Sequence, residues 1–159
     1  MQMRRKDKAV TEPEKIDNII NKCDCFRLAF ADGTHPYIVP LNFGFVNEDG
    51  VRKFYYHSAA AGRKVDLSRG LKYAGFELDT NRVIHPDEAA CDFTSGYQSV
   101  IGEGEIAEIT DLTEKAKGLQ TIMKQYTGRN DWELPEPMLK KTAVFCLTVT
   151  EISAKENRQ

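Results

Sequence analysis

The segment YYHSAAAGRKVDL, residues 55–67, joins a strand-like aromatic run to the predicted start of a helix. The run ends at Ser58, three alanines and a glycine follow, and the adjacent cations Arg63 and Lys64 come next. A helix N-terminus carries partial positive charge, so two cations in its first turn oppose the macrodipole unless an anion binds there. The segment therefore predicts either a phosphate-binding junction or an ordinary helix start with surface charges.

Three side chains of this junction have the chemistry that a phosphate requires. The Ser58 hydroxyl can donate a hydrogen bond, Arg63 offers a forked bidentate contact, and Lys64 supplies a compact positive charge. Gly62 would let the backbone pass close to the anion. If no anion binds, the same residues form a helix start with solvated cations.

His57 lies in the same junction and has two interpretations. It is either a strand histidine whose ring packs against Tyr55 or Tyr37, or a group that faces a substrate. Hydrolysis by a Ser-His-Asp arrangement is not predicted, because no G-x-S-x-G motif occurs and Ser58 and His57 would point to opposite faces of a strand. The GEGEI segment at 102–106 lacks the third glycine of a dinucleotide fingerprint.

Length, composition and charge predict one globular domain over residues 1–159. Hydrophobic residues make up 41% of the chain and charged residues 29%, as in ordinary soluble proteins. The net charge of -2, from 22 basic and 24 acidic residues, gives no reason to expect a nucleic-acid partner. The longest apolar run, AVFCLTV at 143–149, is too short to span a membrane. The charged N-terminus lacks the apolar segment of a secretory signal, so we expect a cytoplasmic protein.

The cysteines and histidines predict neither a disulfide framework nor a metal site. Cys23, Cys25, Cys91 and Cys146 form no CxxC pair and no Cys/His ligand spacing. Because the chain has only three histidines, a His-rich metal site is not predicted either. We expect four free thiols, as in a reducing cytoplasm.

Hydrophobic patterns predict a mainly β fold with added helices. Period-two alternation marks six strands, with a hairpin turn at Asp32-Gly33 and an interruption or sheet edge at Pro40. The strands are CFRLAFA (25–31), PYIVPLNFGF (36–45), VRKFYYHS (51–58), KYAGFELD (72–79), YQSVIGEGEIAEI (97–109) and TAVFCLTVTEI (142–152). Gly102 and Gly104 predict a bend or a close backbone approach, and residues 81–95 are predicted to be irregular. Tight turns imply antiparallel pairing, and six antiparallel strands with helices inserted between some of them are compatible with a small barrel.

Three helices are predicted beside these strands, in addition to the helix start that residues 55–67 allow. The first has a capping box at Thr11 and Glu14 and an apolar face formed by Ile16, Ile19 and Ile20. The second starts at Asp111 and ends at Gly128, and its apolar stripe comprises Leu112, Ala116, Leu119, Met123 and Tyr126. A short third helix is predicted at 136–141.

Five segments match one known family in family order. They are MRRKDKAVTEPEKI (3–16), HPYIVPLNFGF (35–45), FYYHSAAAGRKVDL (54–67), YQSVIGEGEI (97–106) and WELPEPMLKKTAVFCLTVTEIS (132–153). Together they resemble the FMN-binding split barrels related to pyridoxamine 5′-phosphate oxidase, and within them the branch of the 5-nitroimidazole resistance (Nim-like) proteins. Each piece is short, and the specificity lies in the order of all five.

This resemblance implies a six-stranded antiparallel Greek-key split β-barrel with an N-terminal helical arm. It also implies a homodimer with FMN in a groove at the interface, where Ser58, Arg63 and Lys64 hold the phosphate and His57 lies close by. The other residues implied to contact the flavin are Val39, Pro40, Leu41 and Asn42 along the isoalloxazine ring, and Ser99 and Val100 on the long strand.

The activity implied by the resemblance is that of an FMN-dependent oxidoreductase. A nitroreductase acting on nitroimidazole-like or other small aromatic acceptors fits the Nim-like branch, with NAD(P)H as candidate donor and His57 as candidate catalytic residue. The tail EISAKENRQ at 151–159 lacks the Arg/His motif of the pyridoxamine phosphate oxidases, which argues against that substrate. The alternative is a non-catalytic flavin- or haem-binding module, with His57, His35 or His85 as a candidate axial ligand.

Overall fold

The computed structural model describes residues 5–157. Its strands are β1 (Ala9–Val10), β2 (Phe26–Asp32), β3 (His35–Leu41), β4 (Gly44–Glu48), β5 (Val51–Ala59), β6 (Tyr73–His85), β7 (Thr94–Ile109) and β8 (Thr142–Asn157). Its helices are α1 (Pro13–Lys22), α2 (Arg63–Gly70), α3 (Leu112–Thr127) and α4 (Glu136–Lys141), with a 3₁₀ turn at Lys6–Lys8. The predicted mainly β fold with added helices is confirmed.

All strand pairs are antiparallel, in the order β3-β2-β6-β7-β8-β5-β4, and β1 pairs with β8. The end strands β3 and β4 are consecutive in the chain and are joined by Asn42 and Phe43 alone. Because so short a link spans only about 10 Å, the sheet must curl until its two edges lie near each other. The predicted count of six strands is not confirmed, since eight strands build the sheet and β3 does not pair with β4 within residues 5–157.

The concave face of the sheet encloses an aromatic core. Phe26, Phe54 and Phe76 come from three different strands, and their ring centroids lie 4.8, 5.0 and 5.6 Å apart. Ile19 and Ile20 of α1 are fully buried in the same cluster, which confirms the predicted apolar face of this helix. Each such side chain stabilises the fold by about 1.5–3 kcal/mol, so α1 is an integral part of the core.

The sheet edge at Pro40 follows the sequence prediction. The Asp32-Gly33 turn joins β2 to β3, with Gly33 at φ 61°. β3 is an edge strand that ends at Leu41, and β4 begins two residues later. Proline has no N–H to give to a ladder, so an edge position followed by a break suits Pro40.

Two details of the helix predictions are wrong. The N-cap of α1 is Glu12, which makes no side-chain cap bond, rather than Thr11. In α3 the Asp111 carboxylate does cap the helix as predicted, but the buried residues are Lys115, Gly118 and Ile122 instead of the predicted stripe. Gly118 allows the helix to lie directly against β5, which rotates its buried face. None of the helices within residues 5–157 has the length and apolar character needed to cross a membrane.

The prediction of an irregular segment at 81–95 is wrong at both of its ends. β6 continues to His85 and β7 already begins at Thr94. The register of this hairpin shifts between Thr80 and Val83, where Asn81 adopts a left-handed φ of 53°. The extra residues of β6 are mostly exposed on both faces, so they lack the alternation that marks a half-buried strand.

Candidate functional site

The junction of β5 and α2 has the geometry of an anion-binding helix N-terminus. β5 ends at Ala59 and α2 begins at Arg63. The N-cap Gly62 has φ 127° and ψ 163°, a conformation that residues with a Cβ rarely adopt, and it has no side chain to cap the helix. The first backbone bond of the helix runs from the Asp66 N–H to the Gly62 carbonyl at 3.0 Å. The N–H groups of residues 63–65 therefore point out of the helix end.

Arg63 is held by the β2–β3 hairpin. Its Nε and Nη2 atoms donate to Asp32 Oδ2 at 3.0 and 2.7 Å, and its guanidinium carbon lies 4.4 Å from the centre of the Tyr37 ring. The Arg63 side chain is nevertheless 56% exposed, so this ion pair is screened by solvent and adds little to stability. Arg63 is thus ordered and still accessible to an external anion.

Lys64 points back toward the end of β5. Its Nζ donates to the His57 carbonyl oxygen at 3.3 Å, and burial lowers the pKa of this ammonium. Among residues 5–157, no carboxylate lies close enough to Lys64 to lower that desolvation cost. A partly buried cation without a counter-ion gains directly from an incoming phosphate.

His57 lies on the opposite face of β5 from Ser58, as strand alternation predicts. Tyr56 belongs to the core, whereas Tyr55 packs against Gly118 of α3, so His57 shares the outer face with Tyr55 and Ser58 shares the inner face with Tyr56. His57 as a residue is accessible to solvent, although the neighbouring protein partly desolvates its ring. The Tyr37 ring, the alternative predicted neighbour of His57, packs against Arg63.

We expect the pKa of His57 to lie below its ordinary value of 6.5, first because the surrounding protein desolvates the ring and second because Lys64 is nearby. Replacing Lys64 with Met removes a positive charge and should raise the His57 pKa. NMR titration of the imidazole C–H signals measures both values, and Lys72→Met at an exposed lysine is the matched control. A titration midpoint of His57 at or above 6.5 in the wild-type protein would contradict the expected lowering of its pKa.

The same shift has a consequence for stability. Above about pH 8 the imidazole is neutral in the folded and the unfolded chain, so His57 contributes no pH dependence there. As the pH falls through 6.5, the unfolded chain binds the proton first, because the folded pKa of His57 is lowered. The free energy of unfolding therefore decreases on acidification, and His57→Gln should remove this component.

A second ion pair fixes the link between β5 and α2, and sequence reasoning missed it. Arg69, in the last turn of α2, donates from Nε and Nη2 to the two carboxylate oxygens of Glu108 at 2.8 and 2.7 Å. Its Nη1 donates to the Ala60 carbonyl at 3.3 Å. This chain of contacts ties the link at 60–62 to β7. No local sequence motif predicts this ion pair, because Arg69 and Glu108 are 39 positions apart.

The segment predicted to lie along a flavin ring is at the sheet edge. Val39 and Leu41 on β3 pack against the core, whereas Pro40 and Asn42 are exposed. β3 has a strand partner on one side only within residues 5–157. Main-chain groups along its outer edge are therefore available to a ligand or to a second chain.

Ser99 and Val100 occupy different environments on β7. Val100 is fully buried in the core and pairs with Leu78 and Ala154 on its two neighbouring strands. Ser99 lies on the outer face of the sheet and is partly exposed. Of this predicted pair, Ser99 is the residue whose side chain a ligand could reach.

The predicted binding residues thus fall into three regions of one chain: the β5–α2 junction, the end of β3, and β7. Ser58 lies near the end of β5, and Arg63 and Lys64 begin α2. The structure places Asp32 and Tyr37, which the sequence marked only as turn and strand residues, in contact with Arg63. The exposed side of β7 is separated from β3 by β2 and β6, about 14 Å along the sheet. A ligand that contacts both β3 and β7 must therefore either extend across the strands between them or contact β3 of one chain and β7 of another.

The residues at the junction fit a phosphate ester. The helix end presents outward N–H groups, the guanidinium fork of Arg63 is exposed, and the Lys64 ammonium is desolvated. These are the donors that bind phosphates at helix N-termini. No group of three or more His, Cys, Asp or Glu side chains in the described part of the chain is arranged to hold a metal ion.

The curled antiparallel sheet and the helix N-terminus at the β5–α2 junction define the fold of this protein, and comparison with known families identifies its family. The family described as pyridoxamine 5′-phosphate oxidase matches residues 12–156. The chain belongs to this family. The family assignment made from five sequence segments is confirmed.

Similar proteins share the fold across large sequence differences. A candidate 5-nitroimidazole antibiotic resistance protein from Bacteroides thetaiotaomicron superposes with a TM-score of 0.80 at 23% identity, covering 92% of this chain and 85% of that one. The FAD and haem binding protein from Mycobacterium smegmatis gives 0.84 at 16% identity, with 96% and 74% covered. The P3 protein of Mus musculus is 37% identical over 67 residues, 41% of this chain, and the chain spans only 14% of that protein's length.

Proposed function

We propose that this chain is a homodimeric FMN-dependent oxidoreductase. The observation that carries the proposal is the first turn of α2, where outward N–H groups, the exposed Arg63 fork and the desolvated Lys64 ammonium lie within one helical turn. Membership of the pyridoxamine 5′-phosphate oxidase family supports a flavin as the ligand. The free thiols of Cys23, Cys25, Cys91 and Cys146 are compatible with the cytoplasm as its compartment.

FMN is favoured over FAD because its phosphate is terminal. A phosphate monoester has three free oxygens and about −1.5 to −2 charge at pH 7, whereas each phosphate of a dinucleotide has fewer free oxygens and less charge. Several hydrogen-bond donors lie at the α2 N-terminus, and they match the phosphate monoester of FMN because it offers more free oxygens and more negative charge. The FAD and haem binding protein from Mycobacterium smegmatis makes FAD and haem the ligands to test against FMN.

When bound, the flavin supplies the electron transfer, and the residues of this chain bind and orient it. Ser58, Arg63 and Lys64 hold the phosphate, and the edge of β3 lies along the ring. The lowered pKa of His57 favours its neutral form, and a neutral imidazole can accept a proton from a substrate. The acceptor we propose is a small nitro-aromatic compound, a choice supported by the fold shared with the candidate 5-nitroimidazole resistance protein.

The ligand is tested by the absorption spectrum of the purified protein and the mass of the released cofactor. We expect flavin bands and the mass of FMN, either directly or after incubation with FMN. A Soret band or the mass of FAD would contradict the assignment of FMN. A colourless protein that binds none of these ligands would contradict flavin binding altogether.

Catalysis is tested separately from binding. We expect NAD(P)H oxidation that depends on added nitro-aromatic acceptor, measured at 340 nm with the FMN-loaded protein. Turnover with other small aromatic acceptors but not with nitro-aromatic ones would contradict the proposed nitro-aromatic substrate and retain the oxidoreductase activity. Flavin binding without turnover of any acceptor would favour the non-catalytic module.

The dimer is proposed from the outer face of the sheet. Ile38 on β3 and Ile101 on β7 project from this face and are 62% and 37% exposed. The contacts of α3 lie mainly on β4 and β5 and those of α2 on β5 and β7, so helices within residues 5–157 leave the outer side of β2 and β3 largely uncovered. A second copy would cover these isoleucines, and it would bring two regions of the predicted flavin site together from different chains.

Ile101→Glu should shift the protein from dimer to monomer, because a carboxylate at the centre of an interface is desolvated without a partner. Light scattering after size exclusion measures the mass. Val51→Glu is the matched control, since Val51 is 45% exposed but lies at the β4–β5 turn. An unchanged mass for Ile101→Glu, or an equal effect of Val51→Glu, would place the interface elsewhere.

A further inference from the structure

The contacts of Arg63 leave one edge of its guanidinium group open. Asp32 Oδ2 accepts from Nε and Nη2, which lie on the same edge of the fork. An arginine has five N–H donors, so the Nη1 side and part of Nη2 stay available for a second, bidentate acceptor. The guanidinium plane is fixed at the same time, because the Tyr37 ring lies against it at 4.4 Å.

Tyr37 is itself anchored to the core. Its ring stacks on Phe30 with a centroid distance of 6.2 Å and an interplanar angle of 25°, and Phe30 is 2% exposed. The tyrosine ring is therefore a fixed support on the edge strand, and Arg63 rests between this support and Asp32. An arginine in solution samples many rotamers, and ordering it on binding lowers the affinity for its ligand.

We propose that Tyr37 is a positioning residue of the phosphate site: its ring pre-orients Arg63 so that the open edge of the guanidinium group meets the FMN phosphate. This inference rests on the proposed FMN site and assigns the β2–β3 hairpin to it. Tyr37 makes its contribution through Arg63 and not through the ligand. The contribution is therefore specific for the phosphate and depends on the aromatic ring, whereas the hydroxyl group is not needed.

The test is the affinity for FMN, measured by quenching of flavin fluorescence in Tyr37→Leu and Tyr37→Phe, each in the wild-type and the Arg63→Ala background. We expect Tyr37→Leu to weaken FMN binding roughly five- to tenfold, because the freed arginine side chain must be ordered again. Tyr37→Phe should stay within about twofold of wild type, since it keeps the ring. In the Arg63→Ala background, Tyr37→Leu should have no further effect.

Three results would overturn the inference. They are unchanged affinity in Tyr37→Leu, a loss that persists in the Arg63→Ala background, and an equal loss in Tyr37→Phe. If Tyr37→Leu does not fold, Tyr37→Met retains an apolar side chain against Phe30 and takes its place, with the thermal midpoint as the check on folding. Failure of the wild-type protein to bind FMN would contradict the proposed function, whereas normal wild-type binding with an insensitive Tyr37 variant contradicts this inference alone.

Discussion

Replacing Arg63 and Lys64 together with Ala is expected to weaken FMN binding by roughly two to four orders of magnitude. A charge-assisted hydrogen bond contributes about 1.5–3 kcal/mol, and two lost contacts correspond to about 3–6 kcal/mol if they act independently. The fold should be little affected. The Arg63 pair with Asp32 is exposed and worth at most about 1 kcal/mol, and Lys64 makes one long bond to a carbonyl.

The affinity is measured by titrating the cofactor-free protein with FMN, and riboflavin serves as the ligand without a phosphate. The matched control is Lys140→Ala with Lys141→Ala, a pair of adjacent lysines at the end of α4 that changes the net charge by the same amount. We expect the control to bind FMN normally and riboflavin binding to be similar in all variants. If the variant with Arg63 and Lys64 replaced binds FMN as tightly as the wild type, both residues are ordinary surface charges and do not bind the phosphate.

Gly102→Ala is expected to be among the most destabilising single methyl substitutions in β7. A Cβ at Gly102 would overlap the Glu151 carbonyl oxygen of the adjacent strand and would lie 2.5 Å from Cζ of Phe76. The backbone of β8 cannot withdraw without breaking its ladder with β7. Overpacking of this kind costs about 3 kcal/mol or more, which lowers the melting temperature by roughly 6–12 °C in a chain of this size.

Thermal and urea unfolding measure this loss, and Gly75→Ala is the matched control. Gly75 lies on the neighbouring strand β6, where a Cβ would be 3.7 Å from the Gly102 carbonyl oxygen and 3.9 Å from the Ala29 Cβ. These are ordinary van der Waals distances, so the control should change the free energy of unfolding by no more than about 0.5 kcal/mol. Equal stabilities of the two variants would show that the strands separate easily at Gly102.

The parts of the fold that the sequence predicted are those with strong local patterns. Strict alternation located the centres of the long strands, and Pro40 marked the sheet edge because proline cannot donate to a ladder. Gly102 and Gly104 predicted the close backbone approach that is observed beside β8. The buried side of α3 was not predictable by hydrophobicity, since it includes Lys115, whose ammonium donates to the Thr142 carbonyl at 2.9 Å.

In the candidate site, too, the residues that a local sequence pattern marks were predicted, whereas those that join it through long-range contacts were not. Ser58, Arg63 and Lys64 lie within seven consecutive positions, so a strand followed by a helix start was enough to place them together. Asp32 and Tyr37 belong to the site through contacts that arise only after the hairpin folds against α2. The sequence marks Asp32 only as a turn residue, and no local pattern identifies Tyr37 as the aromatic partner of Arg63. Long-range contacts of this kind require the topology of the sheet.

The most direct measurement is a crystal structure of the protein with FMN. We predict the phosphate at the N-terminus of α2, with its oxygens about 2.7–3.2 Å from the nitrogen atoms of Arg63 and Lys64 and from the first free N–H groups of the helix. Ser58 should donate to the same phosphate, and the isoalloxazine ring should lie along Val39 to Asn42. A phosphate bound elsewhere, with Arg63 still paired only to Asp32 and the helix end facing solvent, would contradict the assignment of this junction as the cofactor site.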